Sequence, residues 1–167
     1  MTDSQHTAAS RLAQLEWRWK SFDRLDTFEV YEMLAARSAV FVIEQNCLYG
    51  DIDGLDLDAW HLLVFGPQAD AGQRAPLAGY LRVLLPDADE SDIRIGRVLT
   101  TAQFRGIKLG NAMLERALSH IRAQWPGTPV RLHAQAHLQG FYGAFGFAPI
   151  SDIHEEDGIP HVWMRSA

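Results

Sequence analysis

Residues 97–114 read RVLTTAQFRGIKLGNAML: an apolar strand runs into a short loop holding Arg105, Gly106 and Gly110, and the loop opens into an amphipathic helix. Glycine at such a point lets the backbone approach an anion closely. The first helical turn presents unpaired N–H groups backed by the positive end of the helix dipole. The ligand this arrangement predicts is a phosphate. Neither G-x-G-x-x-G nor G-x-x-x-x-G-K-[ST] occurs in the chain, so the usual nucleotide enzymes fit poorly.

A second segment, HAQAHLQGFYGAFGFAPI from His133 to Ile150, follows a strand end with a short helix carrying Phe141 and Tyr142. Tyr142 is either a core aromatic or, beside a phosphate loop, a proton donor that stays a phenol across neutral pH. Asp51, Asp53, Asp56 and Asp58 look like part of a calcium loop, but the glycine is misplaced and Leu62 stands where a bidentate Glu is required. A capping and turn role, or an acidic lip for a cationic amine, fits better. His133, His137, His154 and His161 invite a transition-metal reading. The spacing of His133 and His137 on a strand leading into a turn does not hold both on one face, so no metal is expected. Glu155, Glu156 and Asp157 read as a solvated turn. Cys47 has no cationic neighbour in sequence to activate it and reads as structural or substrate-lining.

These groups need a scaffold. After a tail at 1–14, expected to be flexible, Leu15, Trp17 and Trp19 alternate with polar residues as in a half-buried strand. Asp26 with Glu29 forms a capping box after Leu25, and Phe28, Tyr31, Leu34 and Ala35 at helical spacing predict the buried face of a helix. Residues 46–58 form a loop. Strands are expected at 60–65, 77–85 and 93–100 as antiparallel neighbours, with turns between them. The helix after the phosphate loop carries Leu109, Met113, Leu114, Ala117, Leu118 and Ile121 on one stripe, and WPG at 125–127 stops it. A strand at 130–134 then completes a strand–helix–strand crossover with parallel partners. A short helix at 138–144 and two strands at 147–154 and 161–165 close a single domain spanning 15–167.

The bulk properties are those of a globular protein: apolar residues are 47% and charged residues 22% of the chain. Lys plus Arg number 15 against 21 Asp plus Glu, a net charge of −6 that disfavours a nucleic-acid partner and suits a cationic or neutral one. The single cysteine leaves no intramolecular disulfide and favours a reducing, cytoplasmic location. No apolar run is long enough for a membrane span, and MTDSQHTAAS lacks the pattern of a secretory leader.

Together, RSAVFVIEQNC, GDIDGLD, WHLL, RIGRV, HAQAHLQGFY and EEDGIPH resemble the ElaA family of the GNAT superfamily of acetyl-CoA-dependent N-acetyltransferases, over most of the chain. The resemblance implies a mixed α/β GNAT fold: a mostly antiparallel twisted sheet with a parallel, splayed strand pair and flanking helices. It implies acetyl-CoA as co-substrate, no metal, and a small-molecule or protein amine as partner, with a homodimer compatible with exposed strand edges. Arg105, Gly106, Ile107, Lys108, Leu109, Gly110 and Asn111 correspond to the loop that holds the coenzyme pyrophosphate, and Lys108 departs from the glycine usual there. Val98, Leu99 and Thr100 match the strand that pairs with the pantetheine arm, the Leu99 N–H being the expected oxyanion donor. Tyr142 matches the tyrosine that protonates the departing thiolate, and Gln135 stands where many relatives have a coenzyme-contacting asparagine.

Transfer to nitrogen requires a neutral amine, and Glu44, an acid interrupting an apolar run, is the expected base. A salt bridge to Arg37 is its alternative role. Arg37, Asp53, His61 and His161 fall on the acceptor side. Two other readings follow from the same residues: an autoinducer-synthase-like acyltransferase, from R-x-x-VF-x-x-E and D-x-x-D, or a catalytically silent coenzyme-binding module.

Overall fold

The computed structural model describes residues 3–47, 50–68 and 70–166. Within the tail expected at 1–14, Asp3–Ala13 is a helix, α1. No Gly or Pro interrupts that stretch, and Ala8 and Leu12 rest on the main core while Arg11 donates to the Gln103 carbonyl at 3.2 Å. Met1, Thr2 and Ala167, at the ends of the expected tail and domain, lie outside the described residues. The aromatic alternation then gives strand β1, Glu16–Ser21.

Helix α2, Thr27–Arg37, starts at Asp26 with both reciprocal bonds of the capping box in place. Its buried face differs from the one apolar spacing predicts. Glu29, Met33, Ala36 and Arg37 point inward, Phe28 and Leu34 sit at the margins, and Tyr31 is 70% exposed. Ion pairing explains the rotation: Glu29 takes Lys20 at 2.8 Å and Arg18 at 3.0 Å, so a charged residue occupies a place that hydrophobicity alone would deny it. Without a break, Ser38–Glu44 continues as a seven-residue π-helix, in which Gln45 N–H reaches five residues back to the Val40 carbonyl at 3.0 Å.

Strands β2 (Trp60–Phe65), β3 (Leu77–Leu84) and β4 (Ile93–Thr100) follow as antiparallel neighbours. Helix α3, Leu109–Gln124, buries the six-residue stripe that sequence spacing predicts. Met113, Leu114 and Ile121 are fully enclosed, each worth about 1.5–3 kcal/mol of burial. Gly79 of β3 permits the contact, because a Cβ there would stand 2.5 Å from the Met113 sulfur.

Strand β5, Val130–Gln135, lies parallel to β4, and helix α4, Gln139–Gly143, follows. The last segment departs from two expected strands. It comprises β6 (Ala148–Pro149), β7 (His154–Glu156) and β8 (Ile159–Ser166), and β6 and β7 both pair with β8. Asp157 and Gly158, at φ of 50° and 78°, make the two-residue hairpin turn that joins β7 to β8. The sheet order is β1-β2-β3-β4-β5-β8-β6, antiparallel except at β4–β5.

Candidate active site

Strands β4 and β5 pair only at Ile93–Val130, Arg94–Arg131 and Ile95–Leu132, and then part. A bulge separates them. Tyr80 faces Leu99 and Arg82 faces Gly96, so β4 carries one extra residue, and Arg97 adopts a φ of 53°. The extra residue reverses which way the backbone points. Ile93 N–H donates to Pro129 O at 2.9 Å, on the β5 side, whereas Thr101 N–H donates to Ala78 O at 3.0 Å, on the β3 side. Period-two alternation back from Thr101 aims the Leu99 N–H at its partner Tyr80 and leaves the N–H groups of Val98 and Thr100 facing the gap. Leu99, the oxyanion donor expected from sequence, is thus committed to the sheet and 4% exposed.

The phosphate loop sits beyond β4. Gly106 has a φ of 80°, and Lys108 caps α3 in the left-handed region at φ 61°, ψ 28°, which explains why glycine suits that position. The first bond closed in the helix is Ala112 N–H to Lys108 O at 3.2 Å, so the amides of Leu109, Gly110 and Asn111 have no helical partner. No side chain caps this end, and its first turn contains no acid. Ile107 and Leu109 are buried anchors, and Arg105 binds Glu44 at 2.9 Å and the Thr100 carbonyl at 3.2 Å. The open amides and the acid-free first turn fit an anionic, phosphate-bearing ligand.

The gap between the strands opens into a cavity of about 540 Å³, lined by Gly96, Arg97 and Val98 on one side and by Leu132 to Gln135 on the other. Tyr142 on α4 closes its end, 7% exposed; burial pushes its phenol up to about 12, and no described residue hydrogen-bonds its hydroxyl. Gln135 donates to Gln45 at 3.0 Å, and Gln45 and Cys47, delivered by the π-helix, line the same wall. His133, Glu156, Asp157 and His161 line the cavity as well. Burial holds the His133 imidazole below its ordinary value, against the pull of Glu156. A separate shallow depression near Arg18, Phe28 and Arg74 lies away from the splayed strands and shares none of these groups.

The aspartate-rich loop has a different role from the acidic lip. Arg37 donates to Asp51 at 2.8 Å and Asp56 at 2.7 Å; Arg82 grips Asp53 through two nitrogens at 2.7 Å and reaches Asp56 at 2.9 Å. Arg97 reaches Asp51 at 2.7 Å. Burial would raise the Asp53 carboxyl, but Arg82 outweighs it and holds it at about 2. Three acids therefore neutralise three guanidinium groups and tie the loop to β3, β4 and α2.

Two expected acceptor contacts are removed by burial. Arg37 and His61 are both 0% exposed, and His61 spends its nitrogens on the Tyr80 hydroxyl (2.8 Å) and the Asp56 carbonyl (3.0 Å). Glu44 is 47% exposed, pairs with Arg105 rather than Arg37, and is not among the cavity-lining residues. Asp53 and His161 do line the cavity. Sequence reasoning missed Gln45, whose placement depends on the π-helix, and the parity reversal at Arg97, which no side-chain pattern records.

The family of the acetyltransferase (GNAT) domain matches residues 69–167. Protein ElaA of Escherichia coli K12 is 42% identical over 150 residues, covering 90% of this chain and 95% of the relative. The crystal structure of E. coli ElaA superposes with a TM-score of 0.81 at 40% identity, covering 92% of this chain and 99% of that one. An acyl-CoA N-acyltransferase from Pseudomonas aeruginosa gives a TM-score of 0.83 at 42% identity, with the same coverage. An aminoglycoside 6'-N-acetyltransferase complexed with coenzyme A, 13% identical with a TM-score of 0.62, shares the fold, the alignment covering 89% of this chain and 96% of that one. The chain is an enzyme of the GNAT acetyltransferase family and belongs, within it, to the ElaA family.

Proposed function

We propose that this enzyme transfers an acetyl group directly from acetyl-CoA to a primary amine on a small molecule or protein. One observation carries the reading: shortly after β4, whose edge parts from β5 beyond Ile95, α3 begins with no side-chain cap and no acid in its first turn. Acetyl-CoA supplies the activated acyl carbon as a thioester. The amides of Leu109, Gly110 and Asn111 hold its pyrophosphate, with Arg105, Gly106, Ile107 and Lys108 shaping the approach. The Thr100 N–H pairs with the pantetheine arm. Val98, next to the bulge, replaces Leu99 as the donor that stabilises charge on the thioester oxygen.

Tyr142 returns a proton to sulfur. Its raised pKa keeps the phenol protonated at every physiological pH, which suits an acid. Gln135 positions the coenzyme through its bond to Gln45. Since Glu44 is tied to Arg105, the base is reassigned to His161. Its Nδ1–H donates to Ile159 O at 2.8 Å, which leaves Nε2 as an acceptor on a cavity-lining ring.

The test is calorimetry with CoA and acetyl-CoA, followed by a thiol-release screen across polyamines, amino sugars, lysine and peptides. Binding of either coenzyme with amine-dependent thiol release supports the reading. Absence of coenzyme binding by folded protein overturns it, and tight binding without turnover against any amine replaces it with a silent module.

A further inference from the structure

At the acceptor end of the cleft, two imidazoles present bare nitrogens to each other. His154 Nδ1 lies 3.1 Å from the Asp152 carbonyl oxygen, and His133 Nδ1 lies 3.0 Å from Glu156 Oε2. A carbonyl and a carboxylate only accept, so each Nδ1 carries its ring's proton. Each Nε2 is then a lone pair, yet the two Nε2 atoms are 2.9 Å apart. Two acceptors at hydrogen-bond distance, with no donor between them, require a cation in or beside the gap.

We propose that His133, His154 and Glu156 form a binding site for a divalent transition-metal ion of the zinc class. One ligand atom from each residue lies within 4.8 Å of the other two; imidazole nitrogen suits Zn²⁺, and Glu156 orients His133 from behind. The surrounding bonds match what metal-bound histidines need, because the second ring nitrogen of each donates to an oxygen that fixes its tautomer and direction. Two nitrogens bound tetrahedrally to one Zn²⁺ stand about 3.3 Å apart, given Zn–N bonds of about 2.0–2.1 Å. Opening the present 2.9 Å to that value takes a small rotation of the exposed His154 ring.

The platform is firm. His133 stacks on Trp163 at 4.2 Å, and the ligands come from β5 and β7, both hydrogen-bonded to β8. Two imidazole nitrogens leave the remaining positions for water or for a group entering the cleft. The site stands independently of acyl transfer.

The experiment is isothermal titration of tag-free, metal-stripped protein with ZnCl₂ near neutral pH, repeated with Co²⁺ to read the visible bands of a tetrahedral site. The expected result is one ion per chain. His154→Ala, at an exposed position, weakens uptake at least about tenfold; Glu156→Gln weakens it about 10–100-fold, the range for groups that orient or complete a metal site. His137→Ala, exposed and outside the cluster, leaves uptake unchanged. No uptake by the wild type would leave a shared proton as the cation in the gap and overturn the proposal, as would uptake that survives His154→Ala unaltered.

Discussion

Replacing Lys108 with glycine should stabilise the fold. Lys108 holds φ 61°, ψ 28° at the start of α3, where its side chain is exposed and makes no cap bond. Left-handed backbone costs a residue with a Cβ roughly 1–2 kcal/mol. Glycine escapes that strain but brings a more flexible unfolded chain, a loss of roughly 0.5–1 kcal/mol. The balance is a gain of about 0.5–1 kcal/mol, or roughly 1–4 °C in Tm at this chain length. Thermal unfolding by circular dichroism reads the shift, and Lys108→Ala is the companion variant because it removes the charge while keeping the strain. Alanine should leave Tm within about 1 °C of wild type. If Lys108→Gly melts below wild type, or both variants rise equally, the backbone argument fails.

Three further outcomes are expected. Tyr142→Phe should lower kcat about 10²–10⁴-fold, the usual contribution of a positioned acid, with KM for acetyl-CoA nearly unchanged; wild-type kcat would remove Tyr142 from the chemistry. Arg37→Leu leaves Asp51 and Asp56 short of a buried partner and should cost about 3–5 kcal/mol in urea unfolding, whereas a loss under about 1 kcal/mol would mean that the network contributes little. Asp53, held at about 2 by Arg82 against an unfolded value near 3.9, contributes stability that is fully present above about pH 4 and drains away as pH falls toward 2. Urea midpoints of wild type and Asp53→Asn measured from pH 6 to pH 2.5 should therefore converge at the acid end; parallel curves would refute the assignment.

The elements that sequence located well are those whose burial follows one period. The α3 stripe, the three antiparallel strands and the Asp26–Glu29 capping box need only local spacing, and each stands where that spacing put it. Misjudged positions are those where charge replaces hydrophobicity. Glu29 and Arg37 occupy the buried face of α2 because partners from β1 and from residues 51–56 neutralise them, and those partners are remote in sequence. The same long-range matching hid the role of the aspartates as counter-ions. Around the cleft, Tyr142 and the glycine loop were legible as motifs. The Val98 donor depends on a one-residue bulge, and the meeting of His133 with His154 depends on how β5 and β7 register against β8. The two-residue Asp157–Gly158 turn, in contrast, carried a readable hairpin signal that the acidic run around it obscured.

The π-helix at Ser38–Glu44 makes this segment sensitive to residue count as well as to residue identity. Excising any one of its seven residues would let the chain relax into ordinary α-helix, where each residue turns the backbone about 100°. Everything downstream would swing out of phase. Gln45 would lose Gln135 and Glu44 would lose Arg105, so one deletion would break both contacts at once. Homologues one residue shorter here would carry a differently shaped entrance, and a swap of this segment alone between long and short forms would be an economical way to re-aim acceptor choice.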